Sequence, residues 1–293
     1  MTESPFRAQR KAYSFRRARK VWLSRQDPLF SQREISLTNF KLTIEYDGRR
    51  FCGWQSQGQK NSIQEIIEKA LCQVLREKIR LIASGRTDAG VHALAQVVNF
   101  KTAKKIPPEK LIAALNSYLP KDIAAVKIEK AAPVFHSRFK AKSKVYRYTI
   151  LNRNFPSPLL KNFVYLCRFP LNLRLMREEA KVLVGRHDFK SFCASGCAAR
   201  DTLRTVKRIS VMKLNNQLLT MDKELNRGSL IAIEIEADGF LYNMIRNIAG
   251  TLIEIGRGRF KPGSMKKILK AKNRRVAGPT LPAKGLCLVR VNY

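Results

Sequence analysis

The chain has 293 residues, 45% of them hydrophobic, and its 57 Lys and Arg against 22 Asp and Glu give a formal net charge of +35. This length suffices to bury a core in one large or two medium domains without disulfides. No apolar run approaches the ~20 residues that a membrane-spanning helix needs, so we expect no transmembrane helix. The charge favours a polyanionic partner, with nucleic acid ahead of an anionic membrane surface.

The six cysteines are scattered along the chain. Only Cys193 and Cys197 lie close together, and neither a CxxC pair nor a His cluster accompanies them, so we expect no metal site. Scattered thiols fit a reducing compartment, and the predicted location is the cytoplasm.

Residues 1–38 differ in composition from the rest of the chain. They hold nine basic and three acidic residues, which leaves +29 of the net charge on residues 39–293. The basic character therefore belongs to the body of the protein. We predict a flexible basic N-terminal arm, with a short amphipathic helix and an organellar transit peptide as the alternatives.

The first half of the body alternates strand and helix patterns. Apolar residues at every second position from Phe40 to Tyr46 predict a strand with one buried face. Ser62 and Glu65 form a capping box ahead of an apolar helical stripe. The resulting order β-α-β-β-α-β is typical of a ferredoxin-like split βαβ unit. The other predicted elements here are strands at 79–83, 94–101 and 123–128 and a helix at 108–119.

The second half mixes strands and helices in similar proportion. We therefore predict an α/β (α+β) fold of two RRM-like or ferredoxin-like lobes, residues 39–140 and 141–293. The lobes share one mixed, largely antiparallel sheet, with an active-site cleft between them. The predicted strands of the second half are 144–151, 205–212, 230–237 and 285–291, and its predicted helices are 175–184, 240–255 and 266–272.

The segment SGRTDAGVHA, residues 84–93, places one carboxylate in a glycine-flanked loop. Gly85 and Gly90 allow backbone conformations closed to other residues, and a Thr-Asp pair bonds readily to nearby backbone. Local chemistry alone fits an ordinary Asp-bearing turn. Beside the Arg86 cation, however, Asp88 stays ionised and can act as a nucleophile or base. Alternatively, Arg86 binds a phosphate.

Arg246 lies inside the apolar helix predicted at 240–255. A guanidinium is expensive to bury unpaired, so it needs an acid or a ligand phosphate, and Asp88 is the acid that we expect. Tyr146 and Tyr148 share a predicted strand, where tyrosines commonly pack against neighbouring strands. The histidines His92 and His136 have no second His or paired acid at motif spacing and are predicted to be structural.

Two clusters of basic residues lie on or before predicted strands. Each either follows an RNA backbone or forms a solvated face. The first cluster contains Arg200, Arg204, Lys207 and Arg208, and the second contains Lys140, Lys142, Lys144 and Arg147.

Several longer segments resemble, in the same order, those of the TruA-type tRNA pseudouridine synthases. GRTDAGVHA, residues 85–93, resembles the signature loop of that family. The similarity runs from about residue 39 to the end and leaves only the arm outside it. The other matching segments are FCGWQSQ (51–57), FHSRFKAKSKVYRY (135–148), GFLYNMIRNIAGTLIEIGRG (239–258) and GPTLPAKGLCLV (278–289).

This resemblance implies that Asp88 is the catalytic nucleophile. Such enzymes detach the uracil base from C1′, rotate it and rejoin it through C5, without a metal or other cofactor. The family's site residues carry over to this chain by motif. Arg86 orders the loop and touches a phosphate or the carboxylate, Tyr146 lies against the flipped base, Arg246 pairs with Asp88, and Leu286 and Leu288 wall the pocket.

The resemblance also implies a substrate and an assembly. The expected reaction is isomerisation of uridine at positions 38, 39 or 40 of the tRNA anticodon stem-loop, by a homodimer whose two subunits one tRNA crosses. Arg200 and Arg204 are candidates to contact the RNA. The alternatives are a pseudouridine synthase of another RNA and a non-catalytic RNA-binding factor. An intact GRTDAG loop argues against the last, because a pure binder has no use for an acid facing RNA.

Overall fold

The computed structural model describes residues 37–55, 61–194, 196, 201–214 and 228–293. Residues 37–293 belong to one compact unit. The predicted basic arm at 1–38 lies outside the described residues except for its last two positions, and so do Arg200 and Cys197. The division of the body at residue 140 stays a prediction.

The described residues contain ten strands and five helices. The strands are β1 (Thr38–Tyr46), β2 (Ile82–Ala83), β3 (His92–Thr102), β4 (Ile123–Ala131), β5 (Ser143–Asn152), β6 (Tyr165–Cys167), β7 (Gly185–Asp188), β8 (Leu203–Leu214), β9 (Ser229–Ala237) and β10 (Leu286–Asn292). The helices are α1 (Ile63–Leu75), α2 (Pro108–Tyr118), α3 (Leu173–Lys181), α4 (Met244–Gly256) and α5 (Ser264–Ala271).

All ten strands form one mixed sheet, which confirms the predicted fold class. Its order is β4-β1-β3-β10-β5-β9-β8-β7, with β2 added to β3 and β6 added to β5. The pairs β3–β10 and β5–β6 are parallel, and the other pairs are antiparallel. The C-terminal strand β10 therefore joins the strands of the two halves, because it lies between β3 and β5.

Helix α1 begins where the sequence predicts it. The Ser62 hydroxyl accepts a hydrogen bond from the Glu65 backbone N–H at 3.3 Å, and the helix ends at Arg76 in the left-handed conformation, with φ of 55°. Ile63, Ile67 and Leu71 are fully buried along its inner face. Burial of this apolar stripe stabilises α1 against the sheet, since propensity alone leaves short helices marginal.

Helix α4 holds the segment that precedes β10. A Cβ added at Gly250 would lie only 1.9 Å from the Pro279 carbonyl oxygen, so the segment packs directly on the helix backbone. The Gly278 N–H donates to the Thr251 hydroxyl at 2.9 Å. The Thr280 hydroxyl donates to the amide oxygen of fully buried Asn247 at 2.6 Å. These contacts fix the path of residues 278–285 from α4 into the sheet.

Several sequence predictions differ from the observed elements. The strand predicted at 79–83 is only the two residues of β2, because the Leu81 N–H donates to the Glu68 side chain instead of a neighbouring strand. Helix α4 begins at Met244 and not at residue 240, since Asn243 before it is left-handed, with φ of 58°. Strand β7 was not predicted, because its sequence GRHD lacks apolar alternation.

Candidate active site

The loop that carries Asp88 is anchored to β3 at its beginning. The Ser84 N–H donates to the Val97 carbonyl at 2.8 Å, and the Ser84 hydroxyl donates to the Gln96 side-chain oxygen at 2.7 Å. The Gln96 amide then donates to the Gly85 carbonyl at 2.9 Å. Gln96 is fully buried, so one core amide fixes the start of the loop.

A tight turn presents Asp88. The Val91 N–H donates to the Asp88 carbonyl at 3.2 Å, which closes a four-residue turn. Gly90, the third residue of this turn, has φ of +78°. Such a turn requires positive φ at that position, which explains the glycine. The same glycine contacts the segment before β10, because a Cβ there would lie 3.3 Å from the Ala283 side chain.

The underside of the loop rests on buried residues. Thr87 is buried and its hydroxyl lies 2.8 Å from that of Tyr46 on β1. The Trp54 N–H donates to the Thr87 carbonyl at 3.0 Å. Gly53 has φ of +105°, and a Cβ on it would lie 2.8 Å from that same carbonyl. These buried contacts therefore fix the position of the loop that carries Asp88.

Asp88 itself is half-buried and, among the described residues, its carboxylate has neither a hydrogen-bond donor nor an ion-pair partner. Burial raises the pKa of Asp88, and the charge of Arg246 opposes this rise. Arg86 is exposed and is not among the groups whose charge shifts the pKa of Asp88, so the expectation that it keeps Asp88 ionised stays a prediction. Desolvation is the largest cause of the shift, because it acts on the carboxylate directly.

Arg246 lies in the first turn of α4, and two neighbours hold its guanidinium. Its Nε donates to the Leu281 carbonyl at 2.6 Å, and one Nη donates to the Asn243 side-chain oxygen at 2.6 Å. No direct ion pair with Asp88 forms within the described ranges, although the two groups interact electrostatically. The predicted pairing is therefore a through-space attraction, and a carbonyl oxygen and an amide oxygen accept hydrogen bonds from this half-buried cation.

Tyr146 lies near both Asp88 and the start of α4. Its ring is 7% exposed and meets Phe240 edge-on, with ring centroids 5.0 Å apart. Burial raises the pKa of Tyr146, and the charges of Tyr46 and Asp88 add to the rise. In the described part of the chain the Tyr146 hydroxyl has no hydrogen-bond partner. The ring of Tyr146 is therefore held by packing against Phe240, and no hydrogen bond among the described residues fixes its hydroxyl.

Tyr148 has a different place from Tyr146. Its hydroxyl donates to the Pro282 carbonyl at 2.8 Å, and its ring fills the space beside Gly285, where a Cβ would lie 2.7 Å from it. Tyr148 is fully buried. It is a packing residue that supports the segment before β10.

Leu286 and Leu288 lie on β10 beside the two tyrosines. Leu286 pairs with Tyr148 and Leu288 with Tyr146 across the antiparallel β5–β10 ladder. Directly paired residues share one face of a sheet. Both leucines are buried, at 6% and 0% exposure. This register brings them next to Tyr146, while their role as pocket walls stays a prediction.

The two arginines predicted to contact RNA have different outcomes. Arg200 lies outside the described residues. Arg204 is half-buried on β8 and donates to the Asp201 carbonyl at 3.1 Å. Its Nε lies 3.3 Å from where a Cβ on Gly239 would be, so it packs on the residue before Phe240. Arg204 is thus close to the Tyr146 side of the site.

Sequence reasoning missed several residues that build this site. Tyr46 and Gln96 come from strands whose patterns signal only burial. Phe240 was taken as part of a helix but lies in the segment before it. The FCGWQSQ similarity was the available signal for the Gly53 contact.

Among the described residues no helix is long and apolar enough to cross a membrane.

Comparisons with known proteins identify the family. The family model described as tRNA pseudouridine synthase matches residues 42–140 and 180–293. The chain is 44% identical over 257 residues to tRNA pseudouridine synthase A of Thermoanaerobacter sp. strain X514, covering 88% of this chain and 100% of that protein. It is 43% identical to tRNA pseudouridine synthase A 2 of Clostridium perfringens over the same shares.

A solved structure, the Cbf5-Nop10-Gar1 complex, aligns with 85% of this chain and 57% of the other at 12% identity and a TM-score of 0.33. The match to the family model includes the Asp88 loop, Arg246 and β10. This chain belongs to the tRNA pseudouridine synthase family.

Proposed function

We propose that this protein isomerises uridine to pseudouridine at positions 38, 39 or 40 of the tRNA anticodon stem-loop, with Asp88 as the nucleophile. Family membership supports an isomerase acting on tRNA. The observation that carries the role of Asp88 is its setting: a half-buried carboxylate without a bonded partner among the described residues, on a rigid loop beside Tyr146. A structural acid in such a place would be expected to have donors.

The proposed reaction requires one nucleophile and no oxidant or reductant. The N1–C1′ bond breaks, a C5–C1′ bond forms, C5 loses its proton and N1 gains one, so atoms and electrons balance within the nucleoside. Asp88 attacks the sugar or the base and leaves again. Arg246 opposes the rise in the pKa of Asp88 and so favours the ionised, nucleophilic form.

The target base must leave its stack before it can react. Base flipping costs a few kcal/mol, and aromatic faces with a cationic cleft help to retain the base. We assign the base-contacting face to Tyr146, which Phe240 holds edge-on, and the pocket wall to Leu286 and Leu288. Arg86 is exposed on the same loop and is free to reach a phosphate.

The charge of the body supports a tRNA substrate. Residues 39–293 carry a net +29. Many phosphate contacts should make affinity fall on the order of a hundredfold between low and physiological salt. A homodimer in the cytoplasm, with Arg200 and Arg204 on the RNA path, completes the proposal. An affinity for tRNA that hardly changes with salt would contradict binding through many phosphate contacts.

The test uses the purified full-length chain and unmodified tRNAs with uridine at position 38, 39 or 40, with Asp88→Asn as the matched control. Pseudouridine is mapped after incubation. Product at those positions with the wild type alone is the expected result. Product only in another RNA would change the substrate, tRNA binding without product would indicate a non-catalytic RNA-binding factor, and equal activity of Asp88→Asn would remove Asp88 from its role.

A further inference from the structure

Lys144 lies against the start of the catalytic loop. Its ammonium nitrogen is so close to Gly85 that a Cβ added there would lie 2.9 Å from it. Lys144 is on β5, two residues before Tyr146, and side chains two apart on a strand point to the same face. The ammonium group therefore occupies the Tyr146 side of the sheet, at the mouth of the Asp88 loop.

This lysine has no counter-charge in the part of the chain that the structure describes. Lys144 is half-buried, yet no described carboxylate pairs with it. A nearby acid, Glu236, is bonded to the Ser143 hydroxyl and the Asn292 amide. Ser143 neighbours Lys144 on β5 and points to the opposite face, so Glu236 lies away from the ammonium group.

The surroundings of Lys144 disfavour its charged form in the free protein. Burial lowers the pKa of Lys144, and the charge of Arg138 lowers it further. Asp88 does not compensate, since its pKa responds to Arg246 and not to Lys144. A half-buried cation beside a second cation is unfavourable in the free protein, and a bound anion would relieve both costs.

We propose that Lys144 binds an RNA backbone phosphate adjacent to the reacting uridine and so positions that nucleotide at the Asp88 loop. The proposal rests on the proposed function for its substrate. Gly85 fits this role, because the absence of a side chain leaves the space that the ammonium group occupies. A phosphate here would lie at the beginning of the loop whose next turn presents Asp88.

The experiment is a coupling test between one side chain and one phosphate. Binding of anticodon stem-loop RNA is measured for Lys144→Met in the Asp88→Asn background, which prevents turnover. Matched RNAs carry an uncharged methylphosphonate linkage on the 5′ or the 3′ side of the target uridine. Lys110→Met is the control, because it removes the same charge from an exposed position on α2.

We expect Lys144→Met to weaken binding of normal RNA by about ten- to a hundredfold and to reduce the log–log salt slope by about 1. For one of the two methylphosphonate RNAs this loss should disappear, while Lys110→Met shows no such coupling. Lys144→Arg should retain most of the affinity. With Asp88 present, Lys144→Met should raise KM more than it lowers kcat.

Equal losses by Lys144→Met on normal and both substituted RNAs, or no loss on any, would overturn the phosphate assignment. A failure of the proposed function has a different signature, since the chain with native Asp88 and Lys144 would then form no pseudouridine in tRNA. Thermal melting of Lys144→Met separates misfolding from lost contact. We expect a melting temperature no lower than that of the native chain, because an unfavourably placed cation is removed.

Discussion

Two aspartates at the ends of neighbouring strands lie in opposite electrostatic settings. Asp47 follows β1, and its carboxylate accepts hydrogen bonds from the Arg49 backbone at 3.1 Å and from its Nε at 2.9 Å. It also lies 3.2 Å from the His92 ring nitrogen. Burial raises the pKa of Asp47, but the Arg49 hydrogen bonds outweigh burial and hold it below its usual value.

Asp88 precedes β3 and has the opposite balance. It receives no such donors in the described part of the chain, and burial raises its pKa. The cavity of about 440 Å³ in the described structure is lined by Asp47, His92 and Arg147, and Asp88 does not line it. Asp47, which has bonded partners and lines this cavity, therefore has the setting of a structural acid, whereas Asp88, the half-buried carboxylate without a bonded partner among the described residues, is the one that we propose to react.

The largest expected effect comes from Asp88→Asn. Turnover should fall by at least about a thousandfold, because an amide cannot replace the nucleophile. Stability at neutral pH should rise: with a raised folded pKa, ionised Asp88 destabilises the fold, and the difference should close as the pH falls below the unfolded pKa. Single-turnover assays and urea titrations at several pH values measure both. Activity of Asp88→Asn near the wild-type level would show that Asp88, like Asp47, has no catalytic role.

The next effect concerns Arg246→Met. Removing this cation should raise the pKa of Asp88 further, since its charge opposes the rise now. The acidic limb of the pH–rate profile should therefore move to higher pH, and the rate at neutral pH should fall by about a hundredfold or more. Arg246→Lys keeps the charge and should move the limb less. An unmoved limb in both variants would show that Arg246 only packs α4 against Leu281.

The next prediction separates the role of the Tyr146 ring from that of its hydroxyl. Because its hydroxyl has no partner in the described residues, Tyr146→Phe should keep activity within about tenfold, below the range for general acid–base assistance. Tyr146→Leu should lose about ten- to a hundredfold if the ring stacks on the base. Steady-state rates and RNA affinity are compared for both. Full activity of the leucine variant would make Tyr146 a packing residue.

The smallest effect on catalysis is expected for Asp47→Asn. It should keep most of the activity but lose about 1 kcal/mol of folding stability at neutral pH. Because the folded pKa of Asp47 is lowered, this contribution is present above about pH 4 and disappears as the pH falls through the folded pKa. Urea unfolding at neutral and at low pH measures it. A loss of turnover without a loss of stability would reverse the roles of the two acids.

Local patterns in the sequence predicted most elements, and the family resemblance of the GRTDAGVHA segment singled out the proposed site. The capping box at Ser62 starts α1 as predicted, because a cap depends on residues three apart. The glycine-flanked Asp88 loop was visible for the same reason, since Gly90 supplies a conformation that its own turn requires. Alternation of apolar and polar residues likewise predicted β1, where Phe40, Leu42, Ile44 and Tyr46 are buried.

Only the tertiary structure decided how these parts act on one another. The insertion of β10 between β3 and β5 is a pairing of residues far apart in sequence, and it brings Leu288 beside Tyr146. Arg86, two residues from Asp88, does not shift its pKa, while Arg246, distant in the chain, does. The sequence determines which groups are present, but burial and through-space distance set their charge states, because desolvation and Coulomb energies depend on three-dimensional surroundings.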